Sequence, residues 1–160
     1  MRIVLAAVGR MKAGPERELL DRYLTRARAT ARALGVSSLD LVELEEGRGR
    51  SAQERKREEA AALMAKLPPG TVLIALDERG RSLPSPAFAS RIGTFIDGGT
   101  PVLALAIGGP DGFDEAVRAA ARDTISFGAA TLPHQLVRVV LAEQLYRAAT
   151  ILTGHPYHRA

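Results

Sequence analysis

Gly108-Gly109-Pro110-Asp111-Gly112 follows the apolar stretch Val102 to Ile107 without a break. Glycines there let main-chain amides approach a ligand closely, and open α/β sheets hold their ligands beyond the carboxyl ends of strands. The run is not a phosphate loop, because no Lys-Ser or Lys-Thr pair follows, and it lacks the G-x-G-x-x-G spacing of dinucleotide sites. Alone it reads as a tight turn. Ser126 to Leu132 passes through Gly128, Ala129 and Ala130, side chains small enough to admit a flat ligand against the backbone. Alone it reads as a connector. If the two loops leave adjacent strands they form one crevice, which says more than either loop.

Chemistry beyond binding rests on few groups. His134 opens a long apolar stretch after Pro133, and Arg138, Glu143 and Arg147 lie farther along it. Glu143 and Arg147 are spaced i,i+4, so mutual neutralisation comes before catalysis for that pair. The tail His155-Pro156-Tyr157-His158-Arg159 is a frayed terminus by position. It nevertheless gathers imidazole, aromatic and guanidinium groups of the kind that hold a base or a phosphate. Three histidines without acidic neighbours at ligand spacing do not make a metal site, and no metal is expected. The absence of cysteine excludes thiol nucleophiles and disulfide scaffolds. No Ser-His-Asp order, H-E-x-x-H motif or pair of carboxylates supplies hydrolase chemistry.

Periodicity predicts the elements that must position these groups. Arg2 to Val8 reads as a buried strand, and Gly9 to Pro15 breaks it before a helix over about 16–33. A strand of mixed burial carries Leu39, Leu41 and Leu44. After the charged glycine loop 46–50, Ser51 and Glu54 form a capping box for a helix to about Leu67. Thr71 to Asp77 is a third strand, and Glu78-Arg79-Gly80-Arg81 is a turn. A helix follows Pro84-Ser85-Pro86 as far as Asp97, and Pro101 to Ile107 is a fourth strand. A helix to about Arg122, a short strand at Thr124 to Phe127 and a helix from His134 to Thr153, closed by Gly154, complete the chain. Near-continuously apolar strands alternating with helices predict an α/β fold, with a mainly parallel sheet and helices on both faces. The last helix is apolar nearly all round, so burial in a subunit interface is expected for it.

The 160 residues suit a single domain spanning 1–160, and 46% hydrophobic with 25% charged residues is globular composition. Its longest apolar runs have six residues, far short of the roughly 20 that cross a bilayer, and Arg10 and Lys12 follow the first run with no cleavage pattern. No membrane partner and a cytoplasmic location are expected. The formal charge of +4 comes from 22 basic and 18 acidic residues, which permits a polyanionic partner without demanding one. Nineteen of the basic residues are Arg, beside 27 Ala, a skew that a GC-rich genome produces without functional cause.

The carboxyl half resembles a known family. Ile107-Gly108-Gly109-Pro110-Asp111-Gly112, Thr131-Leu132-Pro133-His134-Gln135-Leu136-Val137-Arg138-Val139, Ala142-Glu143-Gln144-Leu145-Tyr146-Arg147-Ala148 and His155-Pro156-Tyr157-His158-Arg159 are similar to the signature of the RlmH family. Those are bacterial 23S ribosomal RNA pseudouridine N3-methyltransferases of the SPOUT superfamily. Weaker similarity reaches Val8-Gly9, Leu76-Asp77 and Gly80. The resemblance implies a carboxyl-terminal trefoil knot, a homodimer, and S-adenosylmethionine held by Leu76, Gly108 and the loop Phe127, Gly128, Ala129, Ala130, Thr131 and Leu132. It implies action on 23S ribosomal RNA in the assembled ribosome. Under that reading His134 accepts a proton, Arg138 or Arg159 stabilises an anionic base, and Tyr157 stacks on the base or hydrogen-bonds it. Where the family often has Ser-Lys-Met, this chain has Gly128-Ala129-Ala130. A non-catalytic ribosome-binding module and a SPOUT methyltransferase acting on transfer RNA are the other readings.

Overall fold

Strand β1 (Arg2–Val8) is buried along nearly its whole length, as expected of a strand covered on both faces. It lies between β2 (Ser38–Leu44) and β4 (Val102–Ile107), and beyond β4 come β3 (Val72–Ser82) and β5 (Asp123–Ser126). Every pairing in the order β2-β1-β4-β3-β5 is parallel. The computed structural model describes residues 1–159.

Alternation along the strands sorts the core into two layers. Ile3, Leu5, Ala7, Leu103 and Leu105 face α1 (Pro15–Ala31), α3 (Ser85–Asp97) and α5 (His134–Thr153). Val4, Ala6, Val8, Ala104 and Ala106 share the opposite layer with α2 (Ala52–Lys66) and α4 (Glu115–Ala120). A short 3-10 turn, Arg32–Leu34, closes α1. Ser51 caps α2, its Oγ accepting from the Glu54 amide at 3.1 Å. The Glu54 carboxylate does not return to the Ser51 amide, as the capping box predicted, but accepts from Arg50 N at 2.9 Å.

The segment predicted as a turn at 78–81 continues β3 instead. Ile74, Ala75 and Leu76 pair with Asp123, Thr124 and Ile125, and then Arg81 and Ser82 pair with Ile125 and Ser126. Ile125 is therefore paired twice by β3, on either side of a register shift that spans residues 77–80. Gly80 lets that span run close against β5, because a Cβ there would sit 2.6 Å from the Ile125 nitrogen and the Thr124 carbonyl carbon.

α5 packs against both α1 and α3, which accounts within the chain for its buried Val139, Leu141, Ala142, Leu145 and Ala148. Its outer surface keeps Leu136 43% exposed. No helix among the described residues is long and apolar enough to cross a membrane.

Candidate active site

Strands β4 and β5 end on either side of the middle of β3, and there lies a cavity of about 320 Å³. Such a volume is at the lower end of the roughly 300–1,000 Å³ usual for small-molecule sites. The two small-residue loops form its walls. Leu76, Gly108, Phe127, Gly128, Ala130, Thr131 and Leu132 all line it, whereas Ala129 does not and is exposed.

The walls are built from backbone for identifiable reasons. A Cβ on Gly108 would lie 3.3 Å from the Gly112 carbonyl carbon and 3.4 Å from the Phe113 ring, so any side chain there crowds the loop where it closes on itself. Gly128 has φ 114°, a conformation that side chains oppose. The Ser126 hydroxyl fixes that turn, donating to Gly128 O at 2.9 Å and accepting from Gly128 N at 3.1 Å.

Asp77, Arg79 and Arg118 also line the cavity, and reading the sequence missed all three. Arg118 Nε donates to Asp77 Oδ2 at 2.9 Å, Arg118 Nη1 donates to Phe113 O at 3.0 Å, and the Arg79 amide donates to Asp77 Oδ1 at 2.9 Å. Burial pushes the Asp77 carboxyl up, but these donors more than offset it and hold the group below its ordinary value. Arg118 thus ties the middle of β3 to the loop after β4. No local signal marks this, since Asp77 and Arg118 are 41 residues apart.

His134, the first residue of α5, lines the cavity and is exposed. Arg138, one turn farther on, does not line it. Its side chain is 3% exposed, with Nη1 donating to Glu43 Oε2 at 2.9 Å and Nη2 donating to Val8 O at 2.8 Å and Gly9 O at 2.7 Å. The expectation that Arg138 stabilises a substrate anion is therefore corrected. Its guanidinium satisfies carbonyls at the end of β1 and is committed to the fold.

The tail does not reach the cavity of its own chain. α5 has 20 residues, so its ends are about 30 Å apart, and the tail leaves from the end opposite His134. Tyr157 is not frayed, as its position suggested. Its ring packs 4.4 Å from that of Tyr146, and its hydroxyl donates to Glu143 Oε1 at 3.1 Å. Burial and the Glu143 charge push this phenol up to about 12, so it remains a donor. Arg147 Nε donates to the same Glu143 oxygen at 2.9 Å, the neutralised pair that the spacing indicated. Arg159 is exposed.

Among the described residues, no cluster of three His, Asp or Glu side chains is arranged to hold a metal. The site is a crevice between the two small-residue loops, with Asp77, Arg79 and Arg118 along it and the exposed His134 among its lining residues.

The family described as "Predicted SPOUT methyltransferase" matches residues 1–158. The chain is 59% identical over 160 residues to the ribosomal RNA large subunit methyltransferase H of Mesorhizobium japonicum, covering 100% of both chains. It is 57% identical over 160 residues to the protein of the same name from Xanthobacter autotrophicus, again with 100% of each covered. With crevice, topology and full-length identity in agreement, the chain belongs to the ribosomal RNA large subunit methyltransferase H family of SPOUT methyltransferases.

Proposed function

We propose that this chain, acting as one unit over 1–160, transfers the methyl group of S-adenosylmethionine to N3 of a pseudouridine in 23S ribosomal RNA on the assembled ribosome. The observation that carries the reading is the crevice itself. It has backbone on two walls, and Leu76, Gly108 and the 127–132 loop lie along it with His134 at its opening. Those walls fit an adenosyl group, because their glycines and alanines leave main-chain amides and carbonyls within reach of a flat heterocycle. Leu76, Gly108, Phe127, Gly128, Ala130, Thr131 and Leu132 would hold the cofactor.

When bound, the cofactor supplies an electrophilic methyl carbon on a sulfonium centre. The chain's own residues have two tasks. An imide nitrogen is a poor nucleophile until its proton leaves, and His134 is the group at the cavity mouth that can take that proton. The developing anion then needs a cation and an orienting donor. No tail residue lines the cavity of its own chain, so the reading assigns these roles to Arg159 and Tyr157 of the partner subunit in a homodimer that covers the outer face of α5. The family membership supports the carboxyl-terminal trefoil knot, which general topology rules disfavour. A ribosomal substrate is consistent with a cytoplasmic location.

The crevice is tested directly by titration calorimetry with S-adenosylmethionine on metal-stripped protein. Wild type is expected to bind, and Gly108→Leu to give no heat, because its side chain meets the Gly112 backbone. Binding by the variant equal to wild type would remove the crevice as the site. Transfer from methyl-labelled cofactor to ribosomes, with transfer RNA as the control substrate, tests the reaction.

A further inference from the structure

Two residues of α2, Arg55 and Glu59, stand one helical turn apart, and each touches the same two loops. Arg55 Nε and Nη2 donate to the Asp111 carboxylate at 2.7 and 3.2 Å, and Nη1 donates to Gly49 O at 3.1 Å and Arg50 O at 3.4 Å. Glu59 is 5% exposed. One of its oxygens accepts from Gly47 N at 3.3 Å, and the carboxylate presses on the glycine loop so closely that a Cβ on Gly109 would lie 2.9 and 3.0 Å from its oxygens. Asp111 and Gly109 both line the cavity. The loop 46–50 lies flat on α2, where a Cβ on Gly47 would come within 2.5 Å of Arg55 O. Further carboxylates of α2 hold it, Glu58 accepting from Arg48 N at 2.7 Å and Glu54 from Arg50 N at 2.9 Å.

Stability does not explain Glu59. Its Oε1 is buried without a hydrogen-bond partner, and leaving such an atom unpaired is unfavourable. An apolar side chain of similar volume would suit the layer formed by Ala60, Leu63 and Phe113 better. Burial pushes the Glu59 carboxyl up, and the Gly47 amide only partly offsets it. What the carboxylate does have is a place between two loops that no other side chain of the layer occupies.

We propose that Arg55 and Glu59 are positioning residues for the methyl-donor cavity: they lock the loops 46–50 and 108–112 to α2 as one unit and thereby set the backbone of Gly108 to Gly112. The inference rests on reading that cavity as the S-adenosylmethionine site. Neither residue touches the reacting atoms. Each acts through the loop that does the binding, so the effect belongs in cofactor affinity rather than in turnover at saturation.

The experiment measures S-adenosylmethionine and S-adenosylhomocysteine affinity by calorimetry on the full chain, together with KM for the cofactor and kcat on ribosomes. Glu59→Ala is expected to weaken cofactor binding about tenfold while kcat at saturating cofactor stays within about threefold of wild type. Glu59→Gln, which keeps the volume and the acceptor oxygen, is expected to restore most of the affinity. Arg55→Met and Asp111→Asn remove two ends of one exposed-side contact and need not disturb the core. Each is expected to weaken binding, and the double variant to be no weaker than the worse single one. Affinity of Glu59→Ala within about twofold of wild type, or losses from Arg55→Met and Asp111→Asn that multiply, would overturn the inference. A fall in kcat with KM unchanged would overturn it too. Failure of the wild-type protein to bind either nucleoside would instead overturn the cavity assignment on which it rests.

Discussion

Arg138 shows how a residue type points two ways. A guanidinium beside a proposed histidine base looks like an anion stabiliser, but the side chain turns away from the cavity and bonds Val8 O, Gly9 O and Glu43. Removing the guanidinium leaves Val8 O and Gly9 O without their side-chain donor, while Glu43 keeps Arg17 and the Met11 amide. Arg138→Ala is expected to lower stability by about 3 kcal/mol, roughly a 10 °C fall in Tm for a chain of this size, as scanning calorimetry would measure. The same change has a pH signature. Burial raises the Glu43 carboxyl, but the Met11 amide, Arg17 and Arg138 outweigh burial and hold it below its ordinary value. A carboxyl depressed in the folded state contributes stability that is present above its unfolded pKa, about 4.3. That stability is lost as pH falls through the folded value. With Arg138 gone the depression is smaller, so the acid unfolding midpoint is expected at higher pH in the variant. An unchanged acid limb, measured by circular dichroism, would contradict the assigned network.

Elements were more legible than contacts. Each strand and helix announced itself by apolar period or by its breakers, because those signals are local. Pro133 and Gly154, for instance, bound α5 where expected. Glu78-Arg79-Gly80-Arg81 was misread for the same reason. Polar residues with a glycine look like a turn, and nothing local reveals that the strand resumes its pairing with β5 in a shifted register. The crevice was legible as two small-residue loops, but its third component, the Asp77 to Arg118 tie, was not, being set by tertiary approach alone. Nor did the charges of α2 stand out, since a polar helix surface normally meets only water. The close approach of Gly80 to β5 makes a specific prediction. Gly80→Ala places a methyl 2.6 Å from main-chain atoms of Thr124 and Ile125, which cannot rotate away. Destabilisation of about 1–3 kcal/mol is expected, read from urea unfolding. Equal stability of Gly80→Ala and wild type would contradict that approach.

The proposed reaction requires two chains, because no residue of the tail lines the cavity of its own chain, where Tyr157 is instead hydrogen-bonded to Glu143. Two inactive variants test this together. His134→Ala keeps a sound tail and Arg159→Ala keeps a sound cavity mouth, so each alone is expected to lose most methyl transfer. In a mixed dimer one cavity would combine an intact His134 with an intact Arg159 from the other chain, and activity is expected to return on co-refolding. Absence of any recovery from a mixture shown by mass spectrometry to contain mixed dimers would contradict a shared site. Light scattering at micromolar concentration is expected to give twice the 17.1 kDa chain mass.

The central claim is the identity of the methylated atom. Ribosomes from a strain lacking this protein would be incubated with it and methyl-labelled S-adenosylmethionine, and their large-subunit RNA digested and sequenced by tandem mass spectrometry. The account predicts one added methyl on a single pseudouridine of 23S RNA, carried on the base at N3, and none when Gly108→Leu protein is used. Label found only in transfer RNA, on a ribose, or nowhere above the variant's background would contradict it.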